Sequence, residues 1–395
     1  MKPSSNTADM TKGSPVRLIL TFSVPLIIGN IFQQFYNMVD SIVVGNFVGA
    51  NALGAVGACG SLNWLFFSLS SGLGIGIGVI VSQFYGAKRF DKVSETIANS
   101  FYVLISSALV VSILCYLIAP AVLRLLKTPD DIINDSITYM RTTCLGIVAI
   151  SLYNGVSSIL RALGDSKTPL YFLILSSICN VLLDLLFVIS FGWGVFGVAF
   201  ATILSQALSA VVSLFYAFKK ISYFHLTKKQ LKPDFLIIKN SYRLGVPIAL
   251  QSSMIAVSCV FLQSIVNSFG STVVSAYTIT NRIEQLINQP YNSIGTALTT
   301  YAGQNIGAGD TERVKLGFKK SIGIIAVFSA IMIPVTFIFG KNIAGLFVKE
   351  TDVINLGASA LKITSVCYFF LGMIYIPRHF KWMWRCWICD DQWSS

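Results

Sequence analysis

The chain has 395 residues, 54% of them hydrophobic and only 12% charged, with a mean hydropathy of +0.71 and a formal net charge of +12. A soluble domain carries about 25% charged residues, so this composition excludes a soluble single core and points to an all-α polytopic membrane protein. The basic excess then speaks for cytoplasmic loops, where Lys and Arg collect beside membrane spans, and not for a nucleic-acid partner.

About 20 apolar residues cross the hydrocarbon of a bilayer as a helix, and the chain offers ten such runs. Residues 1–15 are a polar tail, and the apolar run behind them is too long for a secretory leader and lacks a small-residue cleavage site. The first span, 16–44, carries Pro25, Tyr36 and Asp40. Proline removes one backbone hydrogen bond and kinks a helix. The second, 51–84, contains "GLGIGIG" (72–78). No strand precedes it, so a dinucleotide loop is excluded; Gly72/Gly76 and Gly74/Gly78 read as small-residue pairs for close helix approach. Spans three and four, 95–120 and 135–160, lead into "SILRALGDSKTPL" (158–170).

The fifth span, 168–190, places Asn180 and Asp184 one turn apart on one helix face. Thr202 and Gln206 repeat that spacing in the sixth span, 195–218. A basic stretch, 219–243, follows, and its first part, 219–235, reads as a linker. The seventh span, 236–267, has Pro247 at the place of Pro25, with Gln251 and Gln263 as its polar groups. The eighth, 272–304, carries Arg282 and Glu284, two residues apart and so on different faces. Spans nine and ten are 316–340 and 354–376.

Ionisable groups at membrane depth are costly and mark functional sites. Asp40 and Asp184 can take a proton from one side and release it on the other. Together with the oxygens of Asn180 and Thr202 they could instead ligate Na+; no other metal site is expected. Alternatively, the four could form a hydrogen-bonded packing cluster. Tyr36, Gln251, Gln263, Arg282 and Glu284 are candidates for a substrate cleft, where aromatic faces suit flat organic cations. The chain has two His, no nucleophile motif and no nucleotide loop. An enzyme is not expected, nor is a cofactor.

With the N-terminus inside, the inner loops hold nineteen Lys and Arg and the outer loops four, which orients the chain N-terminus in the cytoplasm. "QFYGAKRFDKV" (83–93) aligns without gaps on "QNIGAGDTERV" (304–314), an offset of 221, and "SVPLI" (23–27) on "GVPIA" (245–249). Both copies start inside, so this is a parallel repeat about an axis along the membrane normal. It predicts two homologous six-helix lobes, 16–218 and 236–378.

The second lobe is expected to be incomplete, with about ten of twelve spans present. A partner for "ILRALGDSK" should fall near residue 380, where a Trp-rich tail, 379–395, stands instead. Reverse-translated with freely chosen codons and read one base on, that tail spells "ILNGCGDAG". A frameshift is therefore expected, and the spacing of His379, Cys386 and Cys389 does not make a zinc site. Six other cysteines lie in apolar runs and read as small buried hydrophobes.

Two lobes with "FYNMVDSIVVG" (35–45), "QFYGAKR" after the second span and "RALGDSKTP" (161–169) resemble the MATE family, multidrug and toxic compound extrusion, in its bacterial DinF-like branch. The resemblance implies twelve helices, a cleft between lobes, and export of small organic cations against inward protons or sodium. It implies a cation site in the first lobe, to which Asp40, Asn180, Asp184 and Thr202 correspond. The other bacterial branch carries acids in helices 7 and 10; here helix 10 has none. The expected setting is the bacterial plasma membrane and the expected state a monomer. The alternative, a lipid-linked oligosaccharide flippase of the same superfamily, would want a strongly charged cavity, for which buried Arg and Lys are too scarce.

Overall fold

The computed structural model describes residues 7–376 apart from Lys127 and Lys349. Its helices in chain order are α1 (Pro15–Val43), α2 (Ala50–Gly86), α3 (Phe90–Leu125), α4 (Ile133–Leu145), α5 (Ile147–Ala162), α6 (Lys167–Asp184), α7 (Gly194–Lys220), α8 (Phe235–Asn267), α9 (Ser271–Gly307), α10 (Thr311–Gly345), α11 (Thr351–Ser365) and α12 (Tyr368–Tyr375). No strand occurs among the described residues. The predicted tail, 379–395, lies outside them.

Among the described residues, seven helical segments are long and apolar enough to cross a membrane, and two bent pairs raise the number to nine. Ten spans are expected from the sequence. The eighth of them, 272–304, does form a helix, α9, but "NRIEQLINQPYN" (281–292) leaves it too polar to join the others.

The bent pairs are α4 with α5, at 47°, and α11 with α12, at 58°. Neither break contains proline. At each, an amide bonds three residues back, which tightens the last turn and ends the helix. Gly146 N–H donates to the Thr143 carbonyl at 3.0 Å, and Cys367 N–H to that of Thr364 at 2.9 Å. Positions 146 and 367 again differ by 221, so the repeat extends to the shape of the fourth and tenth spans.

By backbone packing the chain divides into two units. One runs from Ile28 to Val257 and includes the residues up to Asp9; the other joins Met10–Ile27 to the chain from Ser258 onward. Helix α1 therefore passes from one unit to the other two residues after Pro25, and α8 does so within its second half.

In the first unit, α2 is gripped on two faces. A methyl group on Gly72 would stand 2.6 Å from the Ala249 backbone, and one on Gly76 would stand 2.7 Å from the Gly245 nitrogen. On the other face, Gly74 and Gly78 lie against Asn154, Gly155 and Ser158 of α5. The small-residue pairs thus let α2 touch α8 and α5 backbone to backbone. "GDSKTP" serves as the start of α6. Asp165 accepts from the Lys167 and Thr168 amides at 3.1 and 3.0 Å and from the Thr168 hydroxyl at 2.5 Å, satisfying amides that a helix N-terminus leaves open.

In the second unit, Tyr291, Tyr301, Tyr368, Ile325 and Leu361 form a closed core with Met10, Ile19 and Phe22. The repeat motif "QNIGAGDTER" holds the chain's beginning there. Met10 N–H donates to Gln304 Oε1 at 2.9 Å, and its carbonyl accepts from Asn305 Nδ2 at 3.1 Å and Arg313 Nη2 at 3.3 Å. Arg313 also donates to the Gly13 carbonyl at 3.1 Å and to Asn305 Oδ1 at 2.9 Å.

Candidate functional site

Asp40 lies in the last turn of α1, and Asp184 is the final residue of α6. Each helix then loosens into a π-helical turn, Val44–Val48 after α1 and Leu185–Ser190 after α6. Such turns are rare and recur at functional sites. The two turns pack on one another, beside a cluster built from Val43, Val44, Ala52, Val188, Val195 and Val198. β-branched side chains are stiff, which makes this apolar cluster firm.

The Asp40 and Asp184 carboxyl groups face each other within hydrogen-bonding reach. Asp184 is fully buried and Asn180, one turn earlier on the same face, is 2% exposed. Neither Asp184 oxygen has a hydrogen-bond partner, nor does Asp40 Oδ1, nor either polar atom of the Asn180 amide. An ionised carboxylate only accepts, so two of them cannot bond to each other. One proton shared between them, or one small cation held between their oxygens, would close the contact. Among the described residues neither carboxylate forms an ion pair with a Lys or Arg.

Tyr36, one turn before Asp40 on the same face of α1, borders the pair together with Tyr139 of α4. Thr202 lies on α7, which packs on α6; its hydroxyl donates to the Val198 carbonyl at 2.9 Å. The structure thus brings Asp40, Asp184 and Tyr36 together, with Asn180 one turn before Asp184 on its helix and Thr202 on the adjoining one.

The other candidates fall in both units. Gln251 belongs to the first unit, where its Oε1 is buried without a partner. Gln263, Arg282 and Glu284 belong to the second; Arg282 is exposed and Glu284 half-buried. Pro25 and Pro247 both sit inside unbroken helices.

Tyr139 was not legible from sequence. It lies in "SITYMR" near the start of a span, and nothing in that stretch tells which face meets Asp40. Gln33, which hydrogen-bonds Tyr36, could have been found, since it lies seven residues before Asp40 on the same face.

The MatE family pattern matches residues 25–186 and 247–379. A probable multidrug resistance protein of Bacillus subtilis, YpnP, is 34% identical over 371 residues, covering 93% of this chain and 82% of the relative. A second from that organism, YoeA, is 29% identical over 93% of the chain and 81% of the relative. Among solved structures, an outward-facing multidrug resistance MATE transporter of the MOP superfamily superposes with a TM-score of 0.88 at 24% identity, over 97% of this chain and 87% of that one. A MATE protein in the bent conformation gives 0.85 at 25% identity, over 95% and 83%.

Proposed function

The chain belongs to the MatE family of multidrug efflux transporters, and on that footing we propose that it exports organic cations in exchange for inward protons or sodium ions, with Asp40 and Asp184 as the coupling site. One observation carries this reading: two facing carboxyls, buried oxygens of both without a hydrogen-bond partner. An arrangement that closes only around a cation has different affinities in its open and closed forms. That difference is what lets ion binding shift a transporter between states.

In this reading Asn180 and Thr202 add oxygen ligands when the ion is sodium. Tyr36 and Gln251, both of the first unit, contact the exported cation, and Tyr36 links it to the coupling pair through its place one turn from Asp40. Pro25 and Pro247 let α1 and α8 flex. The lobes 16–218 and 236–378 open alternately in a bacterial plasma membrane with the N-terminus in the cytoplasm.

Ethidium efflux from cells expressing the chain tests the reading, with external sodium removed in one arm and the proton gradient collapsed in the other. Efflux should stop in one of the two. Uphill efflux that survives both together would remove cation coupling.

A further inference from the structure

The first unit carries a groove that the coupling pair does not use. Helices α3 and α8, both long and apolar enough to cross a membrane, flank it, and α2 supplies its floor. Leu69, Leu73, Val110, Val111, Val246 and Leu250 line the groove, and its volume is about 290 Å³. Leu73 is buried at the bottom, while Val110, Val246 and Leu250 are exposed along the sides. Pockets for drug-sized ligands run from roughly 300 to 1,000 Å³ and place a few polar groups inside. This groove is smaller and walled by hydrocarbon, which suits a single alkyl chain.

One end of the groove is polar. The Tyr242 hydroxyl shares hydrogen bonds with Ser107 Oγ at 2.8 Å and with Ser106 Oγ at 3.2 Å. Tyr242, Val246 and Leu250 follow at four-residue intervals along one face of α8, and Lys239, three residues before Tyr242, heads that face. Arg243 is the next residue after Tyr242, and both cations are exposed. The basic linker reaches the same end. The Tyr102 hydroxyl, one turn before Ser106 on α3, donates to the Leu231 carbonyl at 2.8 Å, which sets Lys232, the following residue, beside α3. Residues 219–243 hold seven Lys and Arg against one acid, Asp234. That acid caps α8, accepting from the Leu236 and Ile237 amides at 2.9 and 3.3 Å. The repeat does not demand this polar end: at its offsets Ser106, Ser107 and Tyr242 correspond to Val327, Phe328 and Leu20.

We propose that the groove binds one anionic glycerophospholipid, with an acyl chain along Leu73 and the phosphate held by Lys232, Lys239 and Arg243. The hydroxyls of Tyr242, Ser106 and Ser107 then meet the ester groups between chain and phosphate. Tyrosine is favoured at headgroup level, where its ring is apolar and its tip polar. Clustered Lys and Arg at a membrane surface attract anionic lipid. With the N-terminus in the cytoplasm, this end lies at the inner leaflet. An exported organic cation is a poor occupant, because the charge at the groove's polar end has the wrong sign. The site draws on none of the coupling residues.

Native mass spectrometry of the purified full chain, delipidated and then titrated with phosphatidylglycerol or phosphatidylcholine, tests this. The chain should retain one phosphatidylglycerol several-fold more tightly than phosphatidylcholine. Lys232→Gln, Lys239→Gln and Arg243→Gln together should remove that preference. Lys319→Gln with Lys320→Gln, exposed cations of the second unit, should leave it unchanged. Val110→Trp, which fills the groove, should weaken both lipids several-fold; the charge variants carry the test if it does not fold. Equal retention of the two lipids by the parent chain would overturn the proposal. So would a preference that survives the triple variant, or one lost as fully in the Lys319 and Lys320 control. A folded Val110→Trp chain that loses ethidium binding and keeps phosphatidylglycerol would assign the groove to the exported cation and overturn it as well.

Discussion

Asp40 and Asp184 reach each other from two helices that both loosen into π-helical turns at the point of contact, one just beyond Asp40 and the other directly after Asp184. Neither brings a donor, and no Lys or Arg among the described residues pairs with either. The contact is therefore unfinished without a cation.

Asp184→Asn supplies the missing donor from the protein itself, because an amide donates where a carboxylate cannot. The variant should melt at a higher temperature than the parent in sodium-free buffer at neutral pH. An unsatisfied buried polar atom costs about 1–3 kcal/mol, and relief of part of that sets the size of the gain. Thermal unfolding followed by circular dichroism in detergent reads it. A lower melting temperature for Asp184→Asn would speak against an open contact.

The backbone seam between α2 and α8 leaves no room for a side chain. Gly76→Val should destabilise the first unit by about 1–3 kcal/mol, the range for overpacking, since even a methyl group would stand 2.7 Å from the Gly245 nitrogen. Gly57→Ala on the same helix meets nothing within 4 Å and provides the control. The comparison to make is melting temperature, with Gly57→Ala near the parent and Gly76→Val well below it.

Arg313 holds the chain's beginning through the Met10 and Gly13 carbonyls. Hydrogen bonds to charged groups contribute about 1.5–3 kcal/mol each. Arg313→Ala should therefore loosen this segment while leaving the first unit unchanged. Hydrogen exchange should rise at Met10–Gly13 and stay flat across α6; uniform exchange in both would mean the clamp is not local.

Asp165 closes the first turn of α6, the helix that ends in Asp184. Loss of such a cap costs about 0.5–2 kcal/mol. Asp165→Ala should lower the melting temperature accordingly, and Asp165→Asn, whose side-chain oxygen still accepts, should recover most of it.

Much of this was legible in the sequence for physical reasons. Long apolar runs can only be spans, and all ten expected ones form helices, although α9 is too polar to be counted with the rest. Asn180 and Asp184 fall on one face because helical periodicity dictates it. The breaks at Gly146 and Cys367 were not legible, since neither carries proline and each arises from a three-residue hydrogen bond set by packing. Tyr139 was missed because its face depends on how α4 meets α1. The Thr143 hydrogen bond to Asn63 was not legible either, since it depends on how α4 packs on α2.

The central claim is that the Asp40–Asp184 pair couples ion flow to export. Ethidium efflux against a concentration gradient, measured with Asp40→Asn and Asp184→Asn variants expressed at parental levels, tests it most directly. Both variants should lose uphill efflux while the purified proteins still bind ethidium. Uphill efflux at the parental rate in either variant would contradict the account.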